Sequence, residues 1–411
     1  MDKKTNKEIA DEIMSTNIIM WAGNEFYGYW NGHFNLMAEE SMKRLIMDNV
    51  GNSYSKSRAG EVMDIIKATN YIPVDYLNKG DYINLDNGIY NLKQKKLLSH
   101  SPDCYSTVQL PIKYDPKAEC PRWIQFLDEV FDGDRDRIDL LQQIYGYCLT
   151  RSNKHHVAFF FEGPGATGKS TAAEVLKMLV GDANVSAVSL EQLNNNHYVA
   201  MLHGKQLNIV VETKANGKID DARFKAIVSG DPIQADNKFQ PPFMFKPFCK
   251  MLYVTNNMPR VSDTSDGFYR RLVIIKFYKQ FSEKERDRDL MEKLRKEKDG
   301  IFIWALEGLD KLEKKGHFVM PKQVIDEVDK YRKENTHVIN FVEDKCETGL
   351  KHSVTKDSLY EQYQVWSEKS GHKSLGKINF GKQLQQIYRD IEGEKKAEGW
   401  YWIGIRVLDQ T

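Results

Sequence analysis

One stretch decides the fold of this 411-residue chain: Val157-Ala158-Phe159-Phe160-Phe161-Glu162-Gly163-Pro164-Gly165-Ala166-Thr167-Gly168-Lys169-Ser170-Thr171. An apolar run with strand propensity stops at a glycine-rich loop, and a helical pattern continues from Thr171 to Val180. The loop has the spacing G-x-x-x-x-G-K-[ST] of the P-loop, in the strand–loop–helix context that this motif requires. The sequence therefore predicts a nucleotide-binding site.

The residue types of this loop suit a phosphate group. Its glycines let backbone N–H groups turn inward, and the following helix contributes the positive end of its dipole. Lys169 can reach the β- and γ-phosphates, and the hydroxyl of Ser170 can ligate Mg²⁺. The alternative is a glycine-rich turn followed by a chance Lys-Ser pair. We expect the following residues to contact the nucleotide: Gly163, Pro164, Gly165, Ala166, Thr167, Gly168, Lys169, Ser170 and Thr171.

The composition is that of a soluble globular protein with more than one domain, at 41% hydrophobic and 28% charged residues. The net charge of +1 creates no global field for nucleic acid, so any DNA contacts must be local or multiplied by oligomerisation. The five cysteines form no CxxC pair, which argues against structural zinc and suits a reducing cytoplasm. Neither a membrane span nor a signal-peptide core is evident.

Two hairpins are predicted in the first hundred residues. The first spans Phe26 to Phe34 around Asn31-Gly32, and the second spans Tyr82 to Leu92. The aromatic residues of the first hairpin could stack on bases, but a small core is the favoured interpretation. A helix near Ala59–Thr69 lies between the hairpins.

Helices and strands are predicted to alternate further along the chain. Two amphipathic helices, Trp123–Phe131 and Arg137–Leu149, lead into the P-loop strand as a helical collar. From Lys154 to Tyr278 the alternation predicts a mainly parallel, covered sheet. Its strands are Val157–Phe161, Leu207–Glu212, Met251–Thr255 and Leu272–Phe277. Gln234 to Phe245 breaks the alternation and is interpreted as an inserted β-hairpin with Asn237-Lys238 near its tip.

The C-terminal part has another pattern. Arg286–Lys315 is predicted to be helical. It is followed by two helices, Lys356–Ser370 and Asn379–Arg389, and by a strand over Trp400–Val407. This order suits a small winged-helix module, and it equally suits a plain helical cap that ends in an edge strand.

Three polar positions follow or precede the predicted strands. Glu212 ends an apolar strand, where a P-loop protein needs a metal-side carboxylate, although a glutamate can also simply terminate a buried strand. Asn256 follows the next strand and could orient the attacking water, or serve as a turn residue. Arg270 and Arg271 precede a buried strand. They could reach a phosphate transition state in a neighbouring copy, or be ordinary surface arginines.

Together these motifs resemble superfamily 3 helicases, and more closely the helicase part of phage and plasmid primase–helicases related to the poxvirus primase–helicase. The resemblance rests on the order of Gly163–Ser170, Glu212, the Gly230-Asp231 turn with its hairpin, Thr255-Asn256 and Arg270-Arg271. It extends to Asp86–Leu92, Tyr114-Asp115-Pro116, Cys120–Trp123, Gly146–Thr150, Leu359-Tyr360…Trp366 and Phe380-Gly381-Lys382…Leu384. It covers roughly residues 70–411.

The resemblance implies an α/β chain built around an AAA+-like P-loop ATPase domain. With a small N-terminal α+β region predicted over 1–70, the resemblance implies a mostly helical collar (71–153), the ATPase domain (154–280), a helical lid or linker (281–345) and a winged-helix-like module (346–411). It also implies a homo-hexameric cytoplasmic motor that uses ATP and Mg²⁺ to move 3′ to 5′ on single-stranded DNA and unwind forked duplexes, with a primase or polymerase as partner. The chain could be the C-terminal portion of a longer primase–helicase.

The resemblance also implies roles for single residues. Lys169 and Ser170 bind phosphate and metal, Glu212 is the metal-side acid, and Asn256 is the sensor. Arg271 is the preferred finger toward the neighbouring γ-phosphate, with Arg270 second. Lys225, Lys238 and Phe239 are expected to face the DNA channel, where an ammonium beside an aromatic ring suits phosphate contact and base stacking.

Two departures qualify these roles. Many relatives carry two adjacent acids where this chain has Glu212-Thr213, and many carry an arginine near Asp236. Because Thr213 follows Glu212, the sequence does not identify the group that activates water. Because Asp236 stands where an arginine is common, the predicted register of the hairpin could shift by a residue or two. Two other functions stay open as well: a DNA-binding initiator or loader that does not unwind, and a P-loop ATPase that remodels proteins.

Overall fold

The computed structural model describes residues 4–211, 221–238, 241–259, 261, 265–371 and 374–408. The predicted site residues Glu212 and Phe239 lie outside these ranges, as does Thr213.

The first part of the chain folds as three helices and a three-stranded antiparallel sheet. The elements are α1 (Asn6–Thr16), β1 (Ile19–Ala22), β2 (Glu25–Trp30), β3 (His33–Met37), α2 (Glu39–Val50) and α3 (Lys56–Thr69). Strands β2 and β3 form the predicted aromatic hairpin, and Asn31 and Gly32 take the positive φ values that a two-residue turn needs, 53° and 85°. Phe26 and Phe34 are buried, so this hairpin contributes to a core as predicted, while Trp30 stays exposed.

The second part contains a sheet that the predicted helical collar did not include. Its elements are β4 (Tyr82–Leu85), β5 (Gly88–Asn91), β6 (Lys96–Leu98), α4 (Pro121–Phe131) and α5 (Arg135–Cys148). The β4–β5 hairpin and both helices agree with the sequence prediction. Up to residue 120, region 71–153 is nevertheless mostly sheet and loop, and its two α-helices begin only at Pro121 and Arg135.

A five-stranded parallel sheet forms the centre of the molecule. Its region contains β7 (Ala158–Glu162), α6 (Lys169–Val180), β8 (Val185–Ser186), α7 (Asn196–Ala200), β9 (Leu207–Val211), α8 (Asp221–Ser229), β10 (Ile233–Ala235), β11 (Phe243–Phe245), β12 (Lys250–Thr255), α9 (Asp266–Tyr269) and β13 (Leu272–Lys276). The strand order is β13-β7-β12-β9-β8, and every neighbouring pair is parallel. Alternate residues of β7 enter two separate cores, so both faces of the sheet are covered. The predicted parallel sheet is confirmed.

The inserted hairpin is also present. Strands β10 and β11 pair antiparallel, with Ile233 opposite Phe245. Lys238 is exposed beyond the end of β10, where the tip was predicted.

Four helices and a second small α/β module complete the chain. They comprise α10 (Leu290–Lys296), α11 (Lys298–Lys315), α12 (Lys322–Asn335), α13 (His337–Lys345), β14 (Cys346–Thr355), α14 (Lys356–Lys369), α15 (Lys377–Ile387), β15 (Glu392–Lys396) and β16 (Gly399–Val407). The antiparallel sheet has the order β14-β16-β15. This module has its own core, which includes Phe341, Tyr363 and Phe380. Strands β14 and β15 were not predicted, because both are largely exposed and rich in charged or polar residues.

Helices α5 and α11 join the collar to the helices after the central sheet. They approach so closely that a Cβ on Gly308 would lie 2.1 Å from the carbonyl oxygen of Gln142. On the other helix, a Cβ on Gly146 would lie 2.4 Å from the carbonyl oxygen of Ala305. The crossing therefore depends on the lack of side chains at both positions. Among the described helices, none is both long and apolar enough to cross a membrane.

Candidate nucleotide-binding site

The P-loop turns directly out of the end of β7. Gly163 has a φ of 151°, and a Cβ there would lie 2.1 Å from the carbonyl oxygen of Phe277. Glycine is therefore required both by the backbone conformation and by the close approach of the chain after β13. Helix α6 begins at Lys169, so its first N–H groups point toward the loop.

The side chain of Lys169 is folded into the loop. Its Nζ donates to the carbonyl oxygens of Gly163 and Pro164 at 2.6 and 2.5 Å, and lies 3.3 Å from Thr167 Oγ1. Lys169 is 5% exposed, and burial lowers its pKa. The ammonium is thus held by neutral acceptors at the position where the P-loop motif binds phosphate, and a phosphate could replace those acceptors.

One cavity collects most of the predicted site. It has a volume of about 300 Å³ and is lined by Gly165, Ala166, Thr167, Gly168, Lys169, Ser170, Thr171, Val211, Val254, Thr255 and Asn256. The structure therefore brings Asn256 to the loop, as parallel neighbours β7 and β12 dictate. Val211 is the last residue of β9 and forms part of the wall. Glu212 follows it, outside the described residues.

A second cavity adjoins the first on the collar side. It has a volume of about 280 Å³ and shares Ala166, Gly168 and Thr171 with the phosphate cavity. Phe126 of α4 and Phe281 contribute aromatic rings. A flat apolar group joined to the phosphates could pack against either ring. No sequence pattern pointed to these two residues, because they come from distant segments that only the fold brings to one cavity.

A polar network lies on the opposite face of the sheet from α6. Lys276 Nζ is 3.1 Å from Glu162 Oε1 and 3.3 Å from Glu327 Oε2. Burial disfavours the Lys276 ammonium, but these two carboxylates outweigh burial and raise the pKa of Lys276. The network ties α12 to the strand that carries the P-loop. This network was not predicted from the sequence, because each of its residues resembles an ordinary residue at a strand end or on a helix surface.

The two predicted arginines differ in their surroundings. Arg270 is exposed. Arg271 is half-buried, and its guanidinium donates to the carbonyl of Gly267 and, at 3.0 Å, to Ser229 Oγ. Both residues come just before β13.

Both arginines lie at the far edge of the sheet from their own P-loop. Strand β13 runs parallel to β7, with Leu272 opposite Ala158 and Lys276 opposite Glu162. The arginines thus precede the strand, whereas the P-loop follows β7. Five strand residues span roughly 16 Å at the usual rise. The structure does not bring the arginines to the phosphate cavity of the same chain.

The residues predicted to contact DNA occupy separate elements. Lys225 lies on α8, half-buried, with its Nζ 3.3 Å from Ser265 Oγ. The hairpin that carries Lys238 is anchored through Asp236, whose carboxylate accepts a 2.8 Å hydrogen bond from Asn196 Nδ2. Aspartate at this position therefore fixes the hairpin against α7.

Three family models match successive parts of the chain. "D5 N terminal like" matches residues 2–132, a family of unknown function, DUF5906, matches residues 161–271, and "Poxvirus D5 protein-like" matches residues 333–403. The resemblance to D5-type primase–helicases is confirmed.

Viral proteins with helicase names are similar in sequence. The chain is 24% identical over 356 residues to "Putative helicase L207/L206" of Acanthamoeba polyphaga mimivirus, covering 79% of this chain and 37% of that protein. It is 22% identical over 367 residues to the similarly named 121R of Invertebrate iridescent virus 3, covering 78% and 39%. The D5-like chain thus spans less than two-fifths of the length of these relatives.

The fold is similar to that of the C-terminal region of NrS-1. One apo structure of that region superimposes with a TM-score of 0.62 at 14% identity, covering 98% of this chain and all of the other. A second superimposes with a TM-score of 0.57 at 12% identity and the same coverage. The mixed α/β architecture with its parallel sheet is therefore shared.

Proposed function

We propose that this D5-like chain is the motor of an ATP-dependent replicative DNA helicase of the superfamily 3 type, encoded by a phage, virus or other mobile element. One observation carries the proposal. Lys169, the start of α6, Ser170 and Asn256 surround a single cavity at the carboxyl edge of a covered parallel sheet. Such an edge is where α/β proteins bind phosphates.

The chain's residues have distinct tasks in this proposal. Lys169 would exchange the two loop carbonyls for the β- and γ-phosphates of a bound nucleotide. Ser170 and Glu212 would hold Mg²⁺, which supplies neutralising charge for the phosphates when it is bound. Asn256 orients the attacking water. Phe126 and Phe281 hold the base, so the collar takes part in binding ATP.

The arginine that completes the site comes from another copy of the chain. Arg270 and Arg271 lie at the amino edge of the sheet, roughly a strand length from their own P-loop. Either could meet a phosphate only across an interface. We assign this role first to Arg270, because it is exposed and Arg271 is engaged with Gly267 and Ser229.

The remaining assignments follow from the same comparison. We propose an AAA+-type ATPase domain over 154–280, flanked by the N-terminal region 1–70, the collar 71–153, the lid 281–345 and a winged-helix-type module over 346–411. A homo-hexameric ring would present several copies of Lys225, Lys238 and Phe239 to one strand moving 3′ to 5′, which accommodates the small net charge. The motor would act in the host cytoplasm with a primase or polymerase.

A strand-displacement assay tests the proposal. Wild-type protein with ATP and Mg²⁺ is expected to unwind a forked duplex, and Lys169→Ala is expected to abolish ATP hydrolysis and unwinding while keeping its circular dichroism spectrum. Full activity in Lys169→Ala would refute the assignment of the site.

A second function is favoured by the C-terminal module. We interpret its order α13-β14-α14-α15-β15-β16 as that of a winged-helix-type module. Trp400 is exposed near the end of the β15–β16 hairpin, and Lys356 Nζ lies 5.0 Å from its ring centre. An initiator or loader could bind duplex DNA through this surface. Tight, ATP-regulated DNA binding without strand displacement in the same assay would favour this function.

A further inference from the structure

A pocket at the amino edge of the sheet has a lining without carboxylates. It has a volume of about 390 Å³ and lies between the collar, the end of α8 and the segment that follows the β10–β11 hairpin. Its basic side chains are Arg151, Lys154, His156 and Lys246, and we call it the basic pocket. It is on the opposite edge of the sheet from the phosphate cavity.

Arg151 is the inner wall of the basic pocket. Its Nη1 donates to Asn78 Oδ1 at 2.9 Å and its Nη2 to the carbonyl of Tyr82 at 3.0 Å, and the guanidinium lies 4.4 Å above the ring centre of Tyr82. All these partners are neutral. Among the described residues, no carboxylate is within ion-pair distance of Arg151.

Lys250 is a second buried cation close to Arg151. Lys250 is 2% exposed, and its Nζ donates to the carbonyls of Thr150 and Phe248 at 2.8 and 2.9 Å. Burial lowers the pKa of Lys250 to about 8, and the charge of Arg151 contributes to the lowering. Buried cations in proteins are normally paired with carboxylates. Two neighbouring cations that have only neutral partners leave a positive field in the pocket.

The outer cations differ in availability. Lys154 forms an exposed ion pair with Glu313 at 2.9 Å. Lys246 is exposed, and the described part of the chain offers it no hydrogen-bond or ion-pair partner. Asn153 fixes the segment beside Lys246 by donating from Nδ2 to the carbonyl of Pro247 at 2.9 Å. The backbone next to Lys246 is thus fixed by this hydrogen bond, and the exposed Lys246 side chain lies at the entrance of the pocket.

We propose that the basic pocket binds a phosphodiester group of single-stranded DNA. An anionic ligand suits this pocket, because Arg151 and Lys246 both line it and its lining contains no carboxylate. A DNA strand is the source favoured by position, since Lys246 directly follows β11 of the hairpin whose tip is proposed to contact the strand. The inference deepens the proposed function and rests on it.

The pocket also touches the segment that carries the arginines. Ser229 lines the pocket and accepts a hydrogen bond from Arg271, the neighbour of Arg270. A DNA phosphate bound in the pocket would therefore lie beside Ser229 at the end of α8, the residue that also holds Arg271. Occupancy by DNA is expected to stimulate ATP hydrolysis through this contact.

The test is the salt dependence of binding to a labelled oligodeoxythymidylate, measured by fluorescence anisotropy with Lys169 intact. The slope of log K against log salt is negative, and removing one phosphate contact reduces its magnitude by about 0.7 for a single strand. Lys246→Ala is expected to show this loss, Lys246→Glu a larger loss, and Lys246→Arg near wild-type binding. Lys117→Ala, at an exposed loop lysine, is the matched control. Arg151 is left intact, because it also holds the collar segment.

Three outcomes decide the matter. An unchanged slope in Lys246→Ala and Lys246→Glu, with wild-type DNA binding and ATPase present, would overturn the pocket and leave the proposed function standing. If calorimetry showed that Lys246→Ala had lost orthophosphate binding while its affinity for the oligonucleotide was unchanged, the pocket would be a site for a free anion and not for DNA. A wild-type protein that binds no single strand would overturn both the pocket and the helicase.

Discussion

At the residue scale, the two adjacent arginines are expected to behave differently. Arg270→Ala should lower kcat for ATP hydrolysis about 1,000-fold or more with nucleotide affinity retained, as an arginine finger requires. Arg271→Ala should instead lower the free energy of unfolding by about 1–2 kcal/mol, because it removes the hydrogen bonds to Gly267 and Ser229. Steady-state kinetics and thermal melting separate the two effects.

Arg270→Lys is the control for this pair. Lysine keeps the charge but loses the planar fork, so the variant should stay well below the wild-type rate. Wild-type turnover in Arg270→Ala would remove this residue from the site.

The buried lysine behind the basic pocket gives a pH dependence. Its pKa is about 8 in the folded protein against an ordinary value of 10.5, so between these pH values the unfolded chain binds more protons. Stability due to Lys250 therefore rises with pH in this window, by up to about 1.4 kcal/mol per pH unit. The melting temperature of wild type minus that of Lys250→Met should increase from pH 8 to pH 10. A constant difference would mean that Lys250 is not desolvated as described.

At the element scale, the α5–α11 crossing is the contact most sensitive to added volume. Gly308→Ala places a Cβ 2.1 Å from a backbone oxygen that cannot move alone. The helices must separate, at a cost of roughly 1–3 kcal/mol. Gly60→Ala in α3 is the matched control, because nothing lies within 4 Å of its Cβ. The control should be neutral or more stable by about 0.5–1 kcal/mol in denaturant titrations. Equal stability of the two variants would contradict the close packing.

Some of the strands could be predicted from the sequence and others could not. The four apolar strands that flank the P-loop were predicted because buried parallel strands form continuous apolar runs. The Asn31-Gly32 hairpin was predicted from its turn residues. Strand β15 was not, because Glu-Gly-Glu-Lys-Lys carries no apolar alternation.

The candidate site also contains residues that the sequence could predict and residues that only the fold reveals. The loop and Asn256 could be found because motif spacing and parallel strand ends place them together. The ring pair Phe126 and Phe281 could not, since tertiary packing alone joins them. Lys250 and Arg151 looked like ordinary charged residues at element ends, and only their burial without carboxylates distinguishes them.

At the scale of the whole molecule, the positions of the two half-sites predict assembly. The P-loop and the arginines lie on opposite edges of one sheet, so in the proposed mechanism a second copy of the chain supplies the arginine. A head-to-tail arrangement of copies brings one edge to the other and closes into a ring. Under the proposed mechanism, ATP hydrolysis therefore occurs between copies of the chain.

Mixing two inactive variants measures this directly. Lys169→Ala supplies Arg270 but no working P-loop, and Arg270→Ala supplies the P-loop but no finger. In an equal mixture assembled at random, roughly one quarter of the interfaces combine both working halves. We predict that ATPase activity, absent from each variant alone, returns in the mixture with Mg²⁺ and single-stranded DNA. A mixture that assembles but hydrolyses no more ATP than its two components would contradict it.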